Sequence, residues 1–215
     1  MRVEVLRKYT EAELEDMIRK VPLIAHPDVF VYENADIQVR SVSPEEVNPT
    51  SFYALRRNLD FQAELRTALM EQGIDTLFLQ GEEAALELKN EKDEIWSLFP
   101  PVIELATERV KYQSREGEKQ YDDTVEIKVP IINDGLHRVM LAKELGSKVN
   151  VLYISWINQD FPFYAHANNW NQVEVVDEIP QQAGKKYYLR EKNYELYRNF
   201  GIYAVGAPRT TEQKQ

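Results

Sequence analysis

The residues best suited to chemistry stand in one short run, Asn133, Asp134, Gly135, Leu136, His137 and Arg138. Asn, Asp and Gly tolerate the dihedrals of a tight turn. Behind it, Leu136, Val139, Met140 and Leu145 recur at helical spacing, with Lys143 and Glu144 turned away and Gly146 where a C′ glycine belongs. A helix starting at such a turn brings free backbone N–H groups and the positive end of its dipole to one point. Such a point favours bound anions, phosphate above all. Gly135 lets the backbone come close to a ligand, and His137 and Arg138 add side-chain donors. Arg138 can grip a phosphate through two N–H groups. Asp134 is the odd member: it caps the helix or helps to hold a metal, but repels a bare phosphate. The same residues also fit a plain turn followed by a solvated helix start.

The elements that must position this turn are legible on both sides. Val125, Ile127, Val129 and Ile131 alternate as a strand does, and Val149, Val151, Leu152 and Ile154 make a second strand. The reading is strand, turn, helix, strand, and a pair of strands joined by a helix is expected to run parallel. Upstream, residues 102–112 and 124–132 are expected to form a hairpin around the charged run R-E-G-E-K, ending at the turn.

The run I-N-D-G-L-H-R-x-x-x-A-K-E-L-G-x-x-V-x-V resembles the signature of the ParB N-terminal domain and sulfiredoxin superfamily. Partition proteins, sulfiredoxins and free serine kinases are among its members. The resemblance implies an α+β fold, a mixed sheet with flanking helices, here with an N-terminal helix and a C-terminal α/β extension. It implies that Asp134, Gly135, Leu136, His137 and Arg138 hold the phosphates of a nucleotide (ATP, ADP or CTP), with Mg²⁺ alongside. The serine kinases carry a catalytic Glu in the loop after the first strand, and aligning the strands puts Glu46 there, with Glu45 where the family has His. Glu46 would then accept the proton of a hydroxyl attacking a phosphoryl group. Equally, S-P-E-E starts a helical turn in which the dipole favours Glu.

Glu104, on a strand expected beside the turn, is the second carboxylate candidate; the alternative is a structural pairing with Arg109 or Lys111. His137 joins Glu46 and Glu104 as a catalytic candidate. The function implied is a nucleotide-dependent phosphotransferase, of the small-molecule kinase kind, or a nucleotide hydrolase. Its partners would be a nucleotide and a small hydroxyl-bearing substrate. Two alternatives stand beside it: a non-catalytic nucleotide switch, and a nucleic-acid-directed nuclease or modification accessory.

Composition narrows this. The chain has no cysteine, which excludes disulfides, thiolate zinc sites and sulfiredoxin chemistry; Leu136 stands where that nucleophile would be. A net charge of −10 argues against a broad DNA-binding surface, leaving nucleic acid only a local patch. Too little chain remains for the helix-turn-helix and dimerisation segments of a partition protein. The start shows no secretion signal and no run is apolar enough to cross a bilayer, so the expectation is a cytoplasmic protein without a membrane partner.

With 215 residues the chain fits one domain or one and a half. Residues 1–36 read as an N-terminal extension with a helix at 11–20, capped by Thr10 and Glu13. Residues 37–157 read as the core, with a strand at 37–42 and a helix from 51 towards Gly73 that buries Phe61, Leu65, Ala68 and Leu69. An insertion at about 75–99 is expected to hold a helix over E-E-A-A-L-E-L-K-N-E-K-D-E-I-W. Residues 158–206 read as an extension packing on the core. Its aromatic, amide-rich run to Trp170 either stacks on a base or closes as a lid. A strand is expected at 173–176. A helix over 185–200 is expected to interleave Lys and Arg with Tyr187, Tyr188, Tyr194 and Tyr197, as a nucleic-acid face or a core stripe. Residues 207–215 read as a disordered tail.

Overall fold

A computed structural model describes residues 1–116, 119–181, 184–189 and 191–206, and the expected tail lies outside these. In chain order the elements are β1 (Val3–Tyr9), α1 (Glu11–Arg19), β2 (Asp36–Val42), β3 (Tyr53–Leu55), α2 (Arg56–Met70), β4 (Ala85–Asn90), β5 (Ile95–Leu98), β6 (Val102–Glu116), β7 (Lys119–Asp134), α3 (Leu136–Glu144), β8 (Val149–Ser155) and β9 (Glu174–Val176). The fold is α+β, as expected. The central sheet has the order β2-β8-β6-β7, a second sheet has β1-β4-β5, and β3 pairs with β9. No helix of the described residues is long and apolar enough to cross a membrane.

The hairpin is present and longer than its alternation suggests: β6 and β7 pair antiparallel from Val102–Asp134 out to Glu116–Lys119. Two residues of the R-E-G-E-K run lie outside the described residues. The strands joined by α3 are not a parallel pair, which corrects the expectation. β7 runs antiparallel to β6, while β8 lies parallel to β6 on its other side, so β6 occupies the slot between them. The hairpin forces this arrangement, because β6 already fills the hydrogen-bonding edge that β8 would need on β7. Glu104 on β6 pairs with Ile131 on one side and Ile154 on the other, which places it at the centre of the sheet.

The capping box at Thr10 and Glu13 is formed and starts α1, whose Leu14 and Ile18 are fully buried. Two expected helices are absent. The 75–99 segment folds as the β4–β5 hairpin, with Leu86, Leu88, Trp96 and Leu98 buried against Leu65 and Leu69 of α2. Its Ala, Leu, Glu and Lys favour a helix locally, but β1 supplies an edge to pair with, from Val3–Asn90 to Tyr9–Ala85. Tertiary pairing overrides that weak preference. The stretch 185–200 is likewise not an α-helix. It runs as extended bridges, Ser51 to Lys186, Ala165 to Tyr188 and Leu23 to Arg198, with a 3₁₀ turn at Asn193–Leu196.

Candidate functional site

Gly135 makes the bend between β7 and α3, with φ +83° and ψ 20°. A side chain there would also bring its Cβ to 2.7 Å from Cα and Cβ of Pro101, so both the dihedral and the close approach require glycine. No side chain caps the helix. The amides of Arg138 and Val139 turn back to the Gly135 carbonyl. Clefts open on two sides of this bend.

The smaller cleft, of about 190 Å³, is lined by the Asp134–His137 turn, Thr50, Ser51, Asn58, Lys185 and Lys186. The lysines arrive from the C-terminal extension, and backbone bonds hold them there. Phe52 N donates to Lys185 O at 2.9 Å, His166 N to Tyr187 O at 2.8 Å, and Leu189 N to Tyr164 O at 3.0 Å. The segment is thereby zipped between the loop before α2 and the aromatic run. Lys186 Nζ donates to the Tyr164 hydroxyl at 2.5 Å and lies 4.5 Å from the centre of that ring. Burial, then the charge of Lys185, pushes the Lys186 ammonium down to about 7. The same two causes take His137 down to about 4, so its imidazole is neutral near pH 7. The cleft thus combines a helix N-terminus, an exposed ammonium, a tunable amine and two hydroxyl side chains.

Arg138 does not line this cleft. It is buried and faces a larger one, of about 520 Å³, shared with Arg57 and Gln62 of α2, Lys92 and Trp96 of the β4–β5 hairpin, and His137. Its Nη1 has no hydrogen-bond partner. Burial lowers the guanidinium to about 10, against the opposing pull of Asp134.

The carboxylates expected to be catalytic stand elsewhere. Glu46 closes the 3₁₀ turn Pro44–Glu46, its carboxylate accepting from Ser43 N at 2.5 Å. Its neighbour Glu45 bonds Lys143 at 2.7 Å, in the last turn of α3 and roughly 10 Å of helix rise from Leu136. Glu46 therefore sits beside the far end of the helix and lines neither cleft. Glu104 is buried and takes both Nε and Nη2 of Arg198, at 2.8 and 2.9 Å. Tyr32 donates its hydroxyl to the same carboxylate, and Asn133 Nδ2 donates to both at 2.9 Å. The expected partners Arg109 and Lys111 are not the ones found; Arg109 pairs with Glu126 on the hairpin. Glu104 thus anchors the residue before Asp134 rather than facing a ligand. Leu136 contributes its backbone at the helix start, while its side chain packs against the apolar clusters beneath.

Among the described residues no three His, Asp or Glu side chains gather as a metal site. Asp134 is the only carboxylate lining the smaller cleft. One carboxylate completed by phosphate oxygens and water suits Mg²⁺, so the residues fit that ion only together with a phosphate ligand.

Lys185 and Lys186 escaped notice in the sequence because they were absorbed into a helix that does not form. Gly184 just before them was the available sign that the segment is extended.

A family model described as the ParB CE domain matches residues 13–174. No curated protein and no solved structure matches the chain. The matched range contains the bend at Gly135 and the β4–β5 hairpin, and ends before the two lysines.

Proposed function

The chain belongs to the ParB CE domain family, and from that premise we propose that it is a nucleotide-binding protein whose smaller cleft receives the phosphates. The observation that carries this reading is the meeting of the α3 N-terminus with Lys185 and Lys186 in one cleft. Each feature alone attracts an oxyanion only weakly; together, in a partly desolvated site, they supply donors and positive charge to the same oxygens. The hydroxyls of Thr50 and Ser51 add neutral donors. With a phosphate present, Asp134 changes from a repulsive neighbour into a ligand for Mg²⁺, which would screen the phosphate charge.

Of the roles open to such a site, a nucleotide-dependent switch has the firmer support. Neither Glu46 nor Glu104 lines the cleft, so the family's carboxylate base has no evident counterpart here. One observation favours the phosphotransferase or hydrolase reading suggested by the resemblance to the serine kinases. Lys186, with an ammonium brought to about 7, is a base-competent amine at the cleft wall.

Calorimetric titration with ATP, ADP and CTP, each with and without Mg²⁺, tests the reading. At least one nucleotide binds, and Lys186→Ala lowers its affinity tenfold or more, about 1.4 kcal/mol. Unchanged affinity in that variant would remove the cleft from consideration. Turnover of the bound nucleotide, measured as released phosphate or transfer to a hydroxyl compound, separates enzyme from switch.

A further inference from the structure

We propose that the larger cleft is a second binding site, for a small molecule carrying an oxyanion next to a hydrogen-bond donor. Five buried side-chain polar atoms of the described residues lack a partner. Four of them, Gln62 Oε1, Trp96 Nε1, His137 Nε2 and Arg138 Nη1, belong to residues that line this one cleft. A buried polar group without a partner costs free energy that folding normally avoids, so a cluster of them marks groups meant for something absent. Trp96 and Arg138 are themselves buried, at 2% and 4% exposure, so bulk water does not substitute.

The chemistry of the four atoms defines the ligand. Arg138 and Trp96 offer N–H donors, and a charged guanidinium without a carboxylate partner calls for an oxyanion. Gln62 Oε1 is an acceptor and calls for a donor on the same molecule. His137 is neutral and serves either way. Arg57 and Lys92 add positive charge to the lining, against the carboxylates of Asp134 and Glu94, and Glu94 already accepts from Asn90 at 2.6 Å. Gln62 is only partly buried as a residue, so its rotation opens the wall to an entering ligand. Carboxylate and phosphate share the required oxyanion, and a hydroxyl beside a carboxylate supplies the donor.

This site does not rest on the phosphate reading of the smaller cleft, because Arg138, Gln62 and Trp96 do not line that cleft. The two meet only where Asn58, Asp134, Gly135 and His137 line both. Ligands in the two clefts would therefore face each other across the start of α3.

The test titrates the full chain with inorganic phosphate, lactate and propionate, followed by calorimetry and thermal shift. Lactate and propionate differ by the donor alone. Lactate or phosphate binds the native chain, and propionate binds at least tenfold more weakly than lactate if the carboxylate is the true class. Gln62→Ala, Trp96→Phe and Arg138→Met each lower the affinity of the binding probe tenfold or more, while Lys186→Ala leaves it unchanged. Trp96→Phe and Gln62→Ala keep the test valid should Arg138→Met fail to fold. Binding lost in Lys186→Ala but kept in the three cleft variants, or no response to either lactate or phosphate, overturns the proposal. Failure of the nucleotide reading appears separately, as no nucleotide binding in a chain that still takes the probe.

Discussion

Two arginines are buried in this protein, and their surroundings are opposites. Arg198, on the C-terminal extension, meets Glu104 at 2.8 Å and spends its remaining donors on the carbonyls of Phe161, Pro162 and Leu196. Burial opposes its charge, but Glu104 and Tyr32 more than offset this and raise its proton affinity. Arg138, in the first turn of α3, has a free Nη1 and a lowered proton affinity. The first arrangement is complete, with each charge and donor answered inside the fold. The second is open on the side where a cleft begins. Burial alone therefore does not tell a structural arginine from a binding one, whereas the account of its partners does.

The sharpest way to break the comparison is to remove one arginine at a time. Arg198→Ala leaves the Glu104 carboxylate buried and unpaired, and stability in urea denaturation falls by roughly 3–5 kcal/mol. Full stability in that variant would show that the Glu104 network is dispensable. Arg138→Met removes a charge that has no partner, so without ligand stability rises, by about 1–3 kcal/mol. A large loss there would mean that Arg138 is as satisfied as Arg198, and the contrast would vanish. The smallest effect concerns pH. Below about 7 Lys186 carries its proton and attracts an anion; above it the amine is neutral and does not. Pyrophosphate affinity measured by calorimetry therefore falls a few-fold between pH 6 and pH 8. An unchanged affinity would place the ligand out of reach of Lys186.

Much of the scaffold could be read from local pattern. The alternation ahead of Asn133, the helical spacing after Leu136 and the Thr10–Glu13 cap each report on residues within a turn or two of one another, and each element stands where expected. The β4–β5 hairpin could not be read this way, because the decision between helix and strand was taken by β1, far away in the chain. The site divides along the same line. Gly135 and the helix start are local and legible. The pairing of Glu104 with Arg198 joins β6 to the C-terminal extension, and nothing near Glu104 in sequence distinguishes Arg198 from the nearer Arg109. Lys186 reaches the cleft only through bridges to Ser51, a contact with no local signature.

The zipping of Lys185 and Lys186 onto the loop before α2 also has a meaning for how the protein matures. Synthesis runs from the N-terminus, so the bend at Gly135 is laid down before either lysine exists. A growing chain would offer the helix start without its positive wall, and only docking of the last segment finishes the cleft. Tight capture of pyrophosphate would then report that the whole polypeptide has arrived and folded.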